Sequence, residues 1–264
     1  MFLYYNLPSK LGENGFVGEK KILLAVKLII YALYIKVTVR KKFFNLNLYF
    51  RSRRLNIEIQ DLIELHLVYD IFLGGEYDMN LSNANMVLDI GSNIGISAIY
   101  FACMYPNARI CAIEPDPTLF ERLKRNTVNF KNVELYQCAV GGRNETLRLY
   151  RYPGSTLGAS IKARKNSGDF FDVSSYDLDT LMAKLKIKKV IDILKIDAEG
   201  SEWDIFSSSN WLASMAPLIV GELHLEFRPG SNIDDFSSIL KEYEVNYTTL
   251  TLNKMYIFRA VKKV

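Results

Sequence analysis

"NMVLDIGSNIGISAIYFA", residues 85–102, is the stretch on which the reading of this chain turns. A short aliphatic run carries one acid, turns on two glycines four residues apart, Gly91 and Gly95, and resumes with apolar residues at helical spacing. A strand fed into a helix through a tight glycine turn is the opening unit of a doubly wound sheet. The alternation then repeats: "RICAIE" and "PTLFERLKRNTVNF", "VELYQCAV", later "KVIDILKID", a helix from about Ser201, "PLIVGELHL" and a helix near Asp234 to Tyr243. Short β-branched runs separated by helical segments imply a parallel sheet with crossover helices. Two last runs, "VNYTTLTL" and "KMYIFRAVKK", lie either side of Lys254 and read as an antiparallel edge hairpin. Between Gly141 and Ser175 the rhythm breaks into strands and turns inserted on one side of the sheet, and the helix "DLDTLMAKL" follows.

Ahead of this region the character of the chain changes. Residues 1–60 hold eleven Lys and Arg against three Asp and Glu, a balance of +8, which leaves −4 for the rest of the 264 residues. Such a basic arm suits anionic lipid, nucleic acid or an acidic glycan, and equally a solvated surface. Within it, the apolar stretch from Ile22 to Ile35 is interrupted by Lys27 and is shorter than the roughly twenty residues of a membrane span. Two readings stay open for this helix: packing against the body or a second copy, or lying on an anionic membrane surface. The opening "MFLYYNLPSKLGENG" has neither the basic terminus nor the small-residue cleavage site of a signal peptide. Cys103, Cys111 and Cys138 fall in apolar runs without metal-ligand spacing, so a reducing, cytoplasmic setting is expected. "YIKVTVRKKFFNLNLYFRSR" alternates as a strand or hairpin does, and "IEIQDLIELHLVYDIFLGGEYD" reads as a helix stopped by Gly74 and Gly75. The expected organisation is therefore a basic extension over residues 1–80 and one α/β domain over 81–264.

Glycines at a strand-to-helix turn remove side chains that would keep a ligand from the backbone N–H groups. A dinucleotide fingerprint would place further glycines where this chain has Asn93 and Ile96, so a nicotinamide cofactor is disfavoured. Glu114 ends the next strand, twenty-three residues after Gly91, where a carboxylate can accept both hydroxyls of a ribose. Asp89 adds a second negative charge, unhelpful to phosphate but suited to a ligand carrying an ammonium and a sulfonium. S-adenosylmethionine is such a ligand. The plainer alternative is an ordinary α/β turn in which Asp89 caps local backbone.

With these residues in view, the chain resembles the FkbM family of class I S-adenosylmethionine-dependent methyltransferases. The first motif of that family looks like Asp-x-Gly-Ala-Asn-x-Gly; here it is "DIGSNIG", with Ser92 in place of alanine. "AIEPDP" at 112–117, "DILKIDAEGSE" at 192–202 and "ELH" at 222–224 match in order, and "GEYD" at 75–78 is family-like, so the likeness spans roughly residues 66–228. The resemblance implies a Rossmann-like, seven-stranded, mostly parallel sheet with a reversed last strand. It implies cofactor contacts from Asp89, Gly91, Asn93, Gly95 and Glu114, with backbone around Ala139 meeting the adenine. It further implies methyl transfer to a hydroxyl of a sugar, glycan or other secondary metabolite.

Ligands of open α/β sheets lie beyond the carboxyl ends of the strands. There "LKIDAEG" brings Asp197, with Glu199 and Glu202 in the turn and helix that follow, and "VGELHL" brings Glu222 and His224. Methyl transfer from a sulfonium chiefly requires that the acceptor be aligned and its proton accepted. Asp197, Glu199 and His224 are the candidate bases, among which geometry must choose before pKa does. Asp197 or Glu199 could instead cap the following helix, and His224 could be a satisfied core histidine. No compact spacing demands a metal, although two carboxylates and a histidine could hold a divalent ion. His66 sits in a helical run and reads as structural. Three rivals follow: an RNA ribose methyltransferase, for which no recognised nucleic-acid module appears; a non-catalytic scaffold that binds S-adenosylmethionine; and a nucleotide-dependent oxidoreductase.

Overall fold

The computed structural model describes residues 43–151, 159–160, 169–209, 212, 216–251 and 255–263. The apolar helix expected over residues 22–35, the start of the alternating segment after it, and Lys254 lie outside the described residues. By their contacts the residues group into two compact units, one ending at Glu76 and the other running Tyr77–Val264.

The first unit contains a hairpin and a helix. Strands β1 (Phe44–Phe50) and β2 (Arg53–Ile59) pair antiparallel, with Phe44 opposite Ile59 and Phe50 opposite Arg53. Their two-residue turn holds Arg51 at φ +44° and Ser52 at φ +64°, the double left-handed conformation whose twist matches flanking strands. Leu46, Leu48 and Phe50 alternate on the buried face with Leu55, Ile57 and Ile59 on the partner strand. Helix α1 (Leu62–Phe72) starts later than its apolar pattern suggests. The residues Ile57 to Ile59, expected to be helical, are the end of β2, because their period of two serves the ladder with β1. Asp61 then opens the helix: its carboxylate accepts the N–H groups of Ile63 and Glu64 at 2.9 and 3.0 Å, while Glu64 reaches back to the N–H of Gln60 at 2.7 Å. Phe72 meets the ring of Phe50 edge-on at 4.9 Å.

The second unit follows the expected alternation. In chain order it holds β3 (Met86–Ile90), α2 (Ile96–Met104), β4 (Arg109–Ile113), α3 (Pro117–Thr127) and β5 (Val133–Tyr136). Next come β6 (Ala139–Val140), β7 (Glu145–Arg151), β8 (Ala159–Ser160), β9 (Phe170–Tyr176) and α4 (Leu178–Lys184). The remainder is β10 (Ile193–Ile196), α5 (Glu202–Ser208), β11 (Leu218–His224), α6 (Ile233–Ile239), β12 (Tyr243–Thr251) and β13 (Met255–Lys262). The main sheet has seven strands in the order β12-β13-β11-β10-β3-β4-β5. Every neighbouring pair is parallel except the two made by β13, so the last strand is the reversed one. β12 and β13 form the expected hairpin, but β13 lies inside the sheet against β11 and only β12 is an edge. The inserted segment forms a separate four-stranded sheet, β6-β9-β7-β8.

From the adjacent pair β3 and β10, chain order runs outward through β4 and β5 on one side, and to β11 and then the β12–β13 hairpin on the other. That adjacent pair is therefore the switch point beyond which an open α/β sheet binds its ligand. Both strands are buried on each face, as sheets covered on two sides require.

At the end of β10 the neighbouring strands approach closely. A Cβ on Gly221 of β11 would stand 2.0 Å from the carbonyl oxygen of Ile196, the residue paired with it. Gly221→Ala must push β11 away from β10, and urea denaturation should show a loss of about 3 kcal/mol.

Candidate active site

A cleft with about 650 Å³ of space, its mouth included, lies at this switch point. It is lined by Gly91 and Asn93 of the glycine turn, Glu114 and Pro115 after β4, the Cys138–Val140 stretch, Leu147 and Leu149 of the smaller sheet, and the segment from Asp197 to Glu199.

The glycine turn is built by its neighbours. Gly91 and Ser92 donate their N–H groups to the carbonyl of Ile113 at 3.0 and 2.9 Å, which lays the turn across the end of β4. Gly91 sits at φ +75° and Gly95 at φ +94°. A Cβ on Gly91 would lie 1.9 Å from the carbonyl oxygen of Asp197, and one on Gly95 would lie 2.7 Å from the Leu123 side chain. The clearance expected for a ligand thus serves first the approach of β10 and of α3; of the two glycines, Gly91 also lines the cleft.

Asn93, at φ +50°, donates its N–H to Oε2 of Glu114 at 2.8 Å, and Oε1 accepts the N–H of Asp116 at 2.8 Å. Each oxygen has taken one donor and has a lone pair for a second. Burial pushes the Glu114 carboxyl up to about 8, against the two backbone bonds that favour its charge. Ala139 lines the same cleft.

Asp89 lies elsewhere than the cleft wall. It is fully buried in β3, accepts the Ser97 hydroxyl at 2.7 Å, and faces the Lys195 ammonium at 3.4 Å. Lys195, on β10 and only 2% exposed, also donates to the carbonyls of Gly91 at 2.7 Å and Ile90 at 3.2 Å. Burial works against its charge, but Asp89, Asp197 and Glu222 outweigh it and hold the ammonium above its ordinary range. The family motifs do not mark Lys195; its signal in the sequence is a lone cation in "DILKID", on a strand buried on both faces, where a charge must have a partner.

Beyond β10 the chain turns through Glu199 at φ +49° and Gly200 at φ +100°. A left-handed glutamate is uncommon, and here it keeps both Asp197 and Glu199 on the cleft. Asp197 is a quarter exposed, with Oδ2 3.9 Å from Lys195 and a buried Oδ1 that has no hydrogen-bond partner among the described residues. Helix capping for Asp197 is not what the structure shows: Glu202 takes the turn's backbone, accepting the N–H groups of Ala198 at 3.0 Å and Gly200 at 3.1 Å.

The same oxygen of Glu202 meets Nδ1 of His224 at 3.0 Å, and Nε2 of His224 lies 3.7 Å from Glu222. Burial alone would neutralise the imidazole. The charge of Glu202 and its hydrogen bond, with Glu199 and Asp197 nearby, instead hold it well above the ordinary histidine range. Burial raises the Glu202 carboxyl, and His224 and the backbone donors bring it below its usual value. As an imidazolium His224 has no lone pair for an acceptor's proton, and it is not among the residues lining the cleft. Asp197, Glu202 and His224 each bring one donor atom to within 4.8 Å of the others, so these three side chains could hold a metal ion. Glu202 was visible in "AEGSE" without any sign of its role; only the fold brings it under the last residue of β11.

A sheet with this order, a cleft at its switch point and a buried acid after the second strand define a class I methyltransferase. The Methyltransferase FkbM domain model matches residues 89–247, and the chain belongs to that family. It is 28% identical over 165 residues to Methyltransferase 1 of Beauveria bassiana, 54% of this chain and 66% of that protein. It is 26% identical over 137 residues to the 2-O-methyltransferase NoeI of Sinorhizobium fredii (46% and 56%). It is 26% identical over 156 residues to the 31-O-demethyl-FK506 methyltransferase FkbM of Streptomyces tacrolimicus (48% and 60%). The chain thus spans about three fifths of the length of these relatives. A solved Methyltransferase FkbM from Methylobacillus flagellatus aligns with a TM-score of 0.49 at 15% identity, over 76% of this chain and 54% of that one. The cofactor of the family is S-adenosylmethionine, and the donor set fits it: a carboxylate with an acceptor site on each oxygen, and a cleft with apolar and acidic sides. No described helix is long and apolar enough to cross a membrane.

The buried ion pair generates a stability prediction. Lys195→Met removes the ammonium that faces the buried carboxylate of Asp89 and should cost about 3–5 kcal/mol in denaturant unfolding. Adding Asp89→Asn to that variant should recover part of the loss, giving a coupled double-mutant cycle.

Proposed function

We propose that the chain transfers a methyl group from S-adenosylmethionine to a hydroxyl of a sugar, glycan or other secondary metabolite. The observation that carries this reading is Asp197, a carboxylate on the cleft, beside the switch point, with a buried oxygen that has no hydrogen-bond partner among the described residues. The printed names of two relatives, a 2-O-methyltransferase and a 31-O-demethyl-FK506 methyltransferase, support oxygen as the acceptor atom.

S-adenosylmethionine supplies a methyl already activated on a sulfonium, which leaves the protein two tasks, alignment and proton removal. Glu114 receives the ribose hydroxyls on its two oxygens, and the neighbourhood of Ala139 receives the adenine. Gly91 and Asn93 line the intervening stretch, with the turn held from behind by Lys195. Asp197 accepts the proton of the acceptor hydroxyl, because it is a partly exposed carboxylate on the wall of the cleft. Glu199 flanks it, and the negative charge of both favours the cationic sulfur. His224, paired with Glu202, lies behind them and is not the base.

Two measurements test this assignment. Asp197→Asn should lower the methylation rate by about 10²- to 10⁴-fold, while calorimetry should find S-adenosylmethionine binding little altered. Loss of binding without a separate loss of turnover would count against Asp197 as base. For Glu114, a protonated carboxyl accepts poorly, so affinity should rise with pH through about 8. Comparison with Glu114→Gln isolates this effect, since the amide variant should bind weakly and lack that component of the pH dependence.

A further inference from the structure

Asp197 follows β10, Glu202 begins α5 and His224 ends β11, yet one donor atom from each falls within 4.8 Å of the other two. Two are buried side chains, with Glu202 fully inaccessible and His224 3% exposed. One oxygen of Glu202 is saturated by the N–H groups of Ala198 and Gly200 and by the His224 ring. Its other oxygen, Oε2, is buried and has no hydrogen-bond partner among the described residues, and the same is true of Oδ1 of Asp197. A carboxylate oxygen offers only lone pairs, so two such atoms in a place closed to water call for a cation rather than for another acceptor. The nearest ammonium, on Lys195, is turned to Asp89 and to the carbonyls of the glycine turn and stays 3.9 Å from Asp197.

We propose that Asp197, Glu202 and His224 bind one divalent metal ion at the acceptor end of the cleft. On binding, the ion displaces the proton that makes His224 an imidazolium in its absence. One imidazole with two carboxylates suits manganese or zinc better than magnesium, which favours oxygen donors and retains its waters. Three protein ligands leave positions open, as in sites where a metal activates an oxygen. Asp197 is the member that also lines the cleft, so the open side faces the acceptor. Resting on the hydroxyl-methylation reading, the ion lowers the pKa of the bound hydroxyl, and the second oxygen of Asp197 receives its proton. The backbone bonds to Glu202 and its contact with His224 supply the outer support that metal ligands require.

The test uses the full chain, stripped with a chelator and titrated with manganese, with free Mn²⁺ followed by electron paramagnetic resonance and heat by calorimetry. The expected result is one saturable site per chain, displaced by zinc. Asp197→Asn, Glu202→Gln and His224→Gln should each weaken it at least about tenfold, with circular dichroism confirming that the variants fold. No saturable binding of either ion to the wild type overturns the proposal. So does binding that Asp197→Asn leaves unchanged, since this partly exposed side chain is the substitution the fold tolerates best. Product analysis separates the two readings. Oxygen methylation by metal-free enzyme at the full rate removes the ion's role and keeps the hydroxyl reading. Methyl found on nitrogen or carbon removes the hydroxyl reading and leaves the binding measurement standing.

Discussion

The ammonium of Lys195 is the group around which the strand ends are organised. It is buried in β10, so its charge acts through a medium far less screening than water, and every oxygen around it is drawn in. Asp89 answers the charge, while the carbonyls of Ile90 and Gly91 take its hydrogen bonds. One side chain thereby ties the backbone of the glycine turn to the neighbouring strand. The acid of the first motif is consumed in this tie, which leaves Glu114, Asp197 and Glu199 as the carboxylates presented to the cleft.

Close backbone approach completes the arrangement. The end of β10 is pressed between two glycines, Gly91 on the β3 side against the carbonyl of Asp197 and Gly221 on the β11 side against that of Ile196. Both contacts are too short for any side chain at those positions. The result is that Asp197, Glu202 and His224, from three separate elements, converge within a few ångströms. The left-handed turn at Glu199 and Gly200 lets the chain leave β10 and enter α5 in so little space.

Much of this was legible before any coordinate. The sheet, its reversed strand and the glycine turn follow from period-two and helical runs whose order admits few topologies. Glu114 follows from its place after the second strand, and Asp197 from "LKIDAEG". What could not be read depends on contacts across the chain. The pairing of Asp89 with Lys195 joins residues more than a hundred positions apart, and nothing local in "DIG" distinguishes an acid facing a ligand from one facing a lysine. The protonation of His224 depends likewise on Glu202, whose own sequence context reads as an ordinary helix start. At the boundary between β2 and α1 the two patterns overlap, because Ile59 stands three and four residues before Leu62 and Ile63 and also keeps the alternation with Ile57. Asp61 decides the matter through a hydrogen bond, not through hydrophobicity.

The position of β13 has a bearing on how the sheet comes into being. It threads between β11 and β12, both of which precede it in the chain. Until Met255–Lys262 has been synthesised, β11 has a bare edge beside β10, and β12 has no neighbour at all. The reversed strand therefore acts as a late keystone: maturation of this half of the molecule awaits it, and nascent or shortened forms display unpaired ladders that invite association with other chains.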